Sequence, residues 1–134
     1  MDADPLAALL NDRDQYHALC RAEAATLRGP FFTSWPVVTE AAYMLRGQPS
    51  AVASLLGRIA IGKIRLLAID AAEMPKLMEL LSKYADQGFD LADATLMYLA
   101  DREQIETVFT IDRRHFSVYR GSAGQALSLR PLNP

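Results

Sequence analysis

Residues 90–112 read DLADATLMYLADREQIETVFTID and combine a helix with the buried strand that follows it. The segment DLADATLMYLADRE is typical of a helix, and Asp90 is a good N-cap for it. TVFTI, residues 107–111, is a short run without polar alternation, as in a strand that is covered on both faces. Asp112 follows that strand directly. The stretch therefore predicts an α/β unit with an acid at the carboxyl end of a strand, where such sheets collect ligands.

The rest of the chain alternates in the same way. Further strands are predicted in PFFTS (30–34), IRLLAI (64–69) and ALSLRPL (126–132). Helices are predicted in residues 5–10, 15–27, 37–46 and 51–60, and from the cap Asp70 to Tyr84. Strands separated by helices pair in parallel with right-handed crossovers. We therefore predict an α/β class, a three-layer α/β/α fold with a short parallel central sheet, in a single domain of residues 1–134.

Composition narrows the class of protein. The chain has 134 residues, 51% of them hydrophobic, and a formal net charge of -2, which predicts no bulk attraction to nucleic acid or to an anionic membrane. The net charge does not exclude a local basic surface. The single cysteine, Cys20, excludes an internal disulfide. No apolar run approaches the roughly 20 residues of a membrane span, and the start lacks a signal-peptide pattern, so we predict a soluble cytoplasmic protein without membrane contact.

Several common sites lack their residues. The two histidines, His17 and His115, are far apart and do not form a zinc set with cysteines. The sequence also lacks a GxxxxGK[ST] loop, a GxGxxG turn after a strand and a GxSxG elbow. The sequence therefore does not support a zinc site, a common nucleotide-binding loop or a serine hydrolase.

Acids follow the predicted strands at one rim of the sheet. Asp112 directly follows TVFTI, and Glu40 lies on the helix after PFFTS. Asp90 and Asp93 begin the helix that precedes TVFTI. Asp2 would join them if a strand ended at Met1. Several carboxylates at one place repel each other, and a hard divalent cation such as Mg²⁺ or Mn²⁺ removes that conflict. The metal would also activate water and stabilise charge on a phosphodiester.

Each acid also has a purely structural interpretation. Asp90 serves as a helix cap, Asp93 gains from the helix dipole, and Asp112 is a common turn residue. Glu40 fits such an interpretation least, because it interrupts the apolar helical run VVTEAAYML.

The segment after Asp112 contains no acid. It carries only the basic residues Arg113, Arg114, His115, Arg120 and Arg130. Such a segment suits a nucleic-acid backbone beside an acidic site, and it equally suits a solvated loop whose charge is balanced elsewhere. Both interpretations remain open.

Four segments resemble the successive motifs of one family. They are DADPLAALLNDRDQYHA (2–18), TSWPVVTEAAYML (33–45), DLADATLMYLA (90–100) and TVFTIDRRHF (107–116). In this order and spacing they resemble PIN-domain proteins, and most closely the VapC-like toxin ribonucleases of bacterial toxin–antitoxin pairs. The resemblance extends from Asp2 to the last strand. It implies a Mg²⁺- or Mn²⁺-dependent endoribonuclease that cleaves RNA, is often a homodimer and is silenced by a small antitoxin protein.

The resemblance also implies a set of site residues. The metal and catalytic positions match Asp2, Glu40, Asp93 and Asp112, with Asp90 beside them as a further possible ligand. Thr110 matches a hydroxyl position that orients Asp112 or a metal-bound water. Arg113 or Arg114 would position the RNA backbone.

The sequence departs from the family pattern at three places, of which Asp4 and the missing first strand favour an alternative function. Asp4 stands where a small residue is usual, and His115 stands where a second acid is frequent. Family members also carry a central strand that ends in the first acid, whereas this sequence begins at that acid. We expect the natural chain to start about six to ten residues upstream, a strand's length, which N-terminal mass determination tests. The alternative is a catalytically impaired PIN-like binding module that lacks its first strand.

Overall fold

The computed structural model describes residues 1–134, and the predicted α/β class is confirmed. The helices are α1 (Ala3–Leu10), α2 (His17–Thr26), α3 (Trp35–Met44), α4 (Pro49–Ala60), α5 (Met74–Lys83), α6 (Leu91–Arg102) and α7 (Arg114–Val118). The strands are β1 (Phe31–Thr33), β2 (Ile64–Leu66), β3 (Thr107–Phe109) and β4 (Ser128–Arg130). Single 3₁₀ turns cover Ala71–Glu73 and Ala85–Gln87. None of the helices has both the length and the apolar character needed to traverse a bilayer.

The sheet consists of two parallel pairs that meet at the start of the chain. β1 pairs with β2, and β3 pairs with β4. The amino group of Met1 donates to the Phe32 carbonyl at 2.6 Å, and the Asp2 N–H donates to the Phe109 carbonyl at 2.9 Å. The predicted short parallel sheet is therefore divided, because only these two residues connect β1 with β3. An apolar cavity of about 240 Å³ lies between the pairs.

One strand is shorter and more exposed than its sequence indicates. IRLLAI predicts a fully buried strand over 64–69, but β2 ends at Leu66 and Arg65 is exposed, so this prediction was wrong. The reason is topological, since β2 has a strand on one side only. β4 likewise has a single neighbour, in agreement with its predicted place at an edge.

The core orients the helices that carry the acids. α3 contacts both α1 and α6, and the buried side chains Val37, Ala41 and Met97 belong to one hydrophobic cluster. At the starts of α3 and α6 the hydroxyls of Ser34 and Thr95 lie 2.7 Å apart and share a buried hydrogen bond. Packing and this bond hold the two helix N-termini side by side near the carboxyl ends of β1 and β3.

Candidate active site

Asp2 lies buried at the junction of the two strand pairs. It caps α1, and its Oδ1 accepts a hydrogen bond from the Ala3 N–H at 2.8 Å. The Thr110 hydroxyl donates to Asp2 Oδ2 at 2.7 Å. Burial raises the pKa of Asp2, and these hydrogen bonds oppose that rise. Thr110 therefore orients the carboxylate of Asp2, whereas it meets Asp112 only at the backbone carbonyl, at 3.0 Å.

Asp90 and Asp93 begin α6 as a capping box. Asp90 Oδ1 accepts from the Asp93 N–H at 2.8 Å, and Asp93 Oδ2 accepts from the Asp90 N–H at 3.5 Å. The structural role predicted for Asp90 is thus confirmed, and it explains an acid at both positions. It does not explain the pKa of Asp93, which burial and the charge of Asp90 raise to about 6.

His115 is a residue of this cluster to which the sequence assigned no site role. Its Nδ1 lies 2.6 Å from Asp93 Oδ2, and its ring lies 5.0 Å from the ring of Phe89. This hydrogen bond lowers the pKa of Asp93 and opposes the larger effect of burial. The available signal was its position in α7, three residues after Asp112, where the family frequently has an acid.

Glu40 is the acid with the least support from its surroundings. It lies exposed on α3 and takes part in none of the salt bridges of the molecule. Partial burial, followed by the charges of Asp90, Asp2 and Asp93, raises its pKa to about 7. A carboxylate that repels its neighbours and has no cation beside it is destabilised in its charged form. Glu40 therefore belongs electrostatically to the acidic cluster that the sequence predicted.

Asp112 and the two predicted RNA-binding arginines are engaged with other groups. Arg114 Nε donates to Asp112 Oδ1 at 2.9 Å, and Arg114 lowers the pKa of Asp112. Arg113 donates to the carbonyls of Leu132 at 2.6 Å and of Leu129 at 3.3 Å. Arg113 thus ties the start of α7 to the C-terminal segment, and Arg114 neutralises Asp112.

Asp4 is a second member of the cluster that was not predicted as a site residue. It lies half-buried in the first turn of α1. Burial and then the charges of Asp2 and Asp112 raise its pKa. The sequence indicated the added charge, since a small residue is usual here, and the structure shows that the charges of both predicted acids, Asp2 and Asp112, act on it.

The acids fit a divalent cation in chemistry but are not closed around one. Their donors are all oxygens, and burial, followed by repulsion between the acids, raises the pKa of Glu40 and of Asp93. In this conformation no three Asp, Glu, His or Cys side chains are close enough together to hold one metal ion. Asp112 in particular is turned towards Arg114. A cation would relieve the repulsion between Glu40, Asp93 and Asp2, which is the physical reason to expect one.

Comparison with known proteins found similarity to a curated protein and to solved structures. The chain is 31% identical to "Ribonuclease VapC26" of Mycobacterium tuberculosis (strain ATCC 25618 / H37Rv) over 133 residues, which cover 98% of each protein. The crystal structure of VapC20 of Mycobacterium tuberculosis, a sarcin-ricin loop cleaving toxin, superposes with a TM-score of 0.80 over 97% of both chains. Its sequence identity is 20%, so it supports the fold alone. No family model matches the sequence.

Proposed function

The chain belongs to the VapC-like PIN-domain family of toxin ribonucleases, and we propose that it hydrolyses RNA phosphodiester bonds as a metal-dependent endoribonuclease. The observation that supports the metal is the cluster of Asp2, Glu40, Asp90 and Asp93, whose charges act on one another without a cation from the protein to balance Glu40. Such a group of oxygen donors suits Mg²⁺ or Mn²⁺.

Four carboxylates would hold the cation, directly or through water. They are Asp2, Glu40, Asp93 and Asp112, with Asp90 as a further possible ligand. When bound, the metal lowers the pKa of its water and stabilises negative charge on the phosphodiester. The protein's own groups pre-orient the ligands: Thr110 and the Ala3 N–H hold Asp2, and His115 and the Asp90 N–H hold Asp93.

The two arginines after Asp112 differ as candidates for RNA contact. The side chain of Arg114 is 80% exposed and lies at the rim beside Asp112. Arg113 is held by backbone carbonyls of the C-terminal segment. We therefore assign the contact with an RNA phosphate near the site to Arg114 rather than to Arg113.

The family supports a cognate antitoxin protein as a partner and the cytoplasm as the place of action. A homodimer is part of the same proposal. Large apolar side chains are exposed on α3 and α5, among them Trp35 (59%), Tyr43 (65%) and Met78 (68%). Exposed apolar patches of this kind mark protein–protein contact. Sedimentation of the purified protein, alone and with its antitoxin, measures both associations.

The second candidate function is a binding module without catalysis. It is favoured by the separation of the acids, no three of which can hold one ion in this conformation, and by the additional charge of Asp4. In that case the protein would pair with its antitoxin or RNA and leave the RNA intact.

Cleavage of total RNA in the presence of Mg²⁺ or Mn²⁺, and in EDTA, tests the proposed function. We expect cleavage that requires metal, together with a rise in melting temperature on addition of millimolar Mn²⁺, since bound metal stabilises the folded state by RT ln(1 + [L]/Kd). Intact RNA and an unchanged melting temperature would favour the binding module.

A further inference from the structure

A second charged cleft lies between α5 and α6, away from the acids. It has a volume of about 390 Å³, and residues 119–122, which directly follow α7, close one side of it. Four cations line it, namely Lys76, Lys83, Arg102 and Arg120. Two acids, Glu79 and Asp101, line it as well. The cations thus outnumber the acids in a protein whose net charge is negative.

The partners of these charges show which of them are available to a ligand. Arg102 is neutralised by Glu73 at 2.8 Å and by Glu103 at 2.9 Å. Lys76 and Lys83 are exposed and take part in no salt bridge of the molecule.

Arg120 and Asp101 have neutral hydrogen-bond partners. The Arg120 guanidinium donates only to the backbone carbonyls of Ser117 and Tyr119, so its charge is not compensated by a carboxylate. Asp101 accepts from the N–H and the hydroxyl of Ser122, both at 3.0 Å, and faces the loop that it holds. The cleft therefore presents three cations without an ion-pair partner, Lys76, Lys83 and Arg120, against two acids, Glu79 and Asp101.

The cleft is connected to the acidic cluster through a line of aromatic contacts. The rings of His115 and Phe89 are 5.0 Å apart, and those of Phe89 and Tyr84 stack at 4.6 Å. The hydroxyl of Tyr84 then accepts a hydrogen bond from the Arg120 N–H at 3.1 Å. Asp93 of the acidic cluster and Asp101 of the cleft are eight residues apart on α6, which corresponds to about 12 Å along the helix axis. A few nucleotides of RNA can span this distance.

We propose that this cleft binds the phosphate backbone of the RNA strand that flanks the scissile bond, through Lys76, Lys83 and Arg120. The proposal rests on the proposed function. Arg113 is committed to backbone carbonyls and Arg114 is shared with Asp112, so the rim of the site itself offers the RNA backbone no cation besides Arg114. Exposed cations track a nucleic-acid backbone without reading its sequence. The cleft thus supplies affinity, whereas the acidic cluster supplies the chemistry.

The basic residues beside β2 provide a matched control. Arg58, Lys63 and Arg65 line a different groove, and Lys63 directly precedes β2. They lie at the amino end of that strand, whereas the acids lie at the carboxyl ends. Substitution of Lys63 removes the same charge as substitution of Lys76 or Lys83, but far from the proposed RNA path.

The test is binding of a fluorescent single-stranded RNA oligonucleotide in EDTA, where metal-dependent cleavage is excluded, at several salt concentrations. We expect the double variant Lys76→Ala/Lys83→Ala to bind about tenfold more weakly, and the slope of log K against log salt to fall by about 1.4, since each phosphate contact on a single strand contributes about 0.7. Lys63→Ala should bind like the wild type. Arginine at both positions, which keeps the charge, should restore binding.

An unchanged affinity and salt slope in the double variant would overturn the proposal, and so would an equal loss in Lys63→Ala. If inorganic phosphate binds the wild type but not the double variant, while RNA affinity is equal in both, the cleft is a small-anion site and the proposal fails. In a cleavage assay we expect a raised KM with an unchanged kcat. If the protein cleaves no RNA at all, the proposed function is disproved. The binding measurement still decides whether the cleft binds RNA.

Discussion

Two groups of acids in the molecule behave in opposite ways. Glu73, next to α5, accepts from the Tyr98 hydroxyl at 2.6 Å, from Arg102 at 2.8 Å and from the Asp70 N–H at 2.8 Å. The hydrogen bond from Tyr98, followed by the other two, lowers its pKa to about 2. Glu40, on α3, has no such partners, and its pKa is raised to about 7.

The difference distinguishes a structural acid, whose charge the protein balances, from an acid whose charge no group of the protein balances. At Glu73 the chain supplies every hydrogen-bond donor and the positive charge. In the acidic cluster the chain supplies further negative charges instead, and Asp93 accepts hydrogen bonds only from His115 and from the Asp90 N–H. Raised pKa values that come from burial and like charges cluster at functional sites, which makes those of Glu40 and Asp93 evidence for a site.

The largest expected effect is on catalysis. Asp93→Asn keeps the capping-box geometry of α6 but removes a proposed metal ligand, so RNA cleavage should fall by at least about 100-fold, because even residues that only orient a ligand change activity by about 10- to 100-fold. Cleavage of a labelled RNA in Mn²⁺ measures this. Glu73→Gln, an acid-to-amide change in the other group, should cleave at the wild-type rate. Equal losses in the two variants, or none in Asp93→Asn, would erase the distinction between the groups.

A smaller effect, on stability, is expected when Asp2 loses the hydroxyl group that donates to its carboxylate. Thr110→Val removes the hydroxyl that donates to Asp2 Oδ2 and leaves a buried carboxylate oxygen with one partner fewer. The free energy of unfolding should fall by about 1–3 kcal/mol, and the pKa of Asp2 should rise further. Denaturant unfolding measures the stability, and Thr110→Ser, which keeps the hydroxyl, is the control. If valine and serine are equally stable, the hydrogen bond does not hold Asp2.

The two groups should also give opposite dependences on pH. The pKa values of Glu40 and Asp93 are raised to about 7 and about 6, so the folded state binds protons more tightly than the unfolded state. Their contribution to stability is therefore greatest below pH 4 and is lost as the pH rises to 7. In EDTA the melting temperature should fall by a few degrees between pH 5 and pH 8, and Mn²⁺ at pH 8 should restore it.

Glu40→Gln sharpens that prediction. The amide removes one member of the repelling group, so the metal-free variant should lose part of the fall in melting temperature between pH 5 and pH 8. It should also respond less to Mn²⁺. A variant with the pH profile of the wild type would show that Glu40 is not part of the electrostatic cluster.

The smallest effect is expected at Glu73, where the dependence of stability on pH has the opposite sign. Because the folded-state pKa is lowered, the contribution of Glu73 to stability is present above about pH 4.5 and is lost as the pH falls towards 2. Glu73→Gln should lower the melting temperature slightly at pH 7, and the difference from the wild type should disappear near pH 2. Thermal unfolding followed by circular dichroism measures both values. A melting temperature that rises at pH 7 would contradict the structural role of Glu73.

The local parts of both groups could be predicted from the sequence. The capping box of Asp70 and Glu73 and the cap at Asp90 depend on residues three positions apart, and the structure contains both. The contacts of Glu73 with Tyr98 and Arg102 could not be predicted, because they join residues 25 and 29 positions apart. For the same reason Thr110 was expected beside Asp112, whereas its hydroxyl donates to the carboxylate of Asp2, 108 positions away.

The amino-acid sequence by itself determined the order of helices and strands apart from the short helix α7, the parallel pairing and the identity of the acids, since periodicity, caps and crossover rules act over short distances. Only the tertiary structure decided which charges meet. It turns Asp112 towards Arg114, places His115 against Asp93 and adds Asp4 to the cluster. The reason is that a pKa depends on burial and on neighbours in space, and both arise only when distant segments pack together.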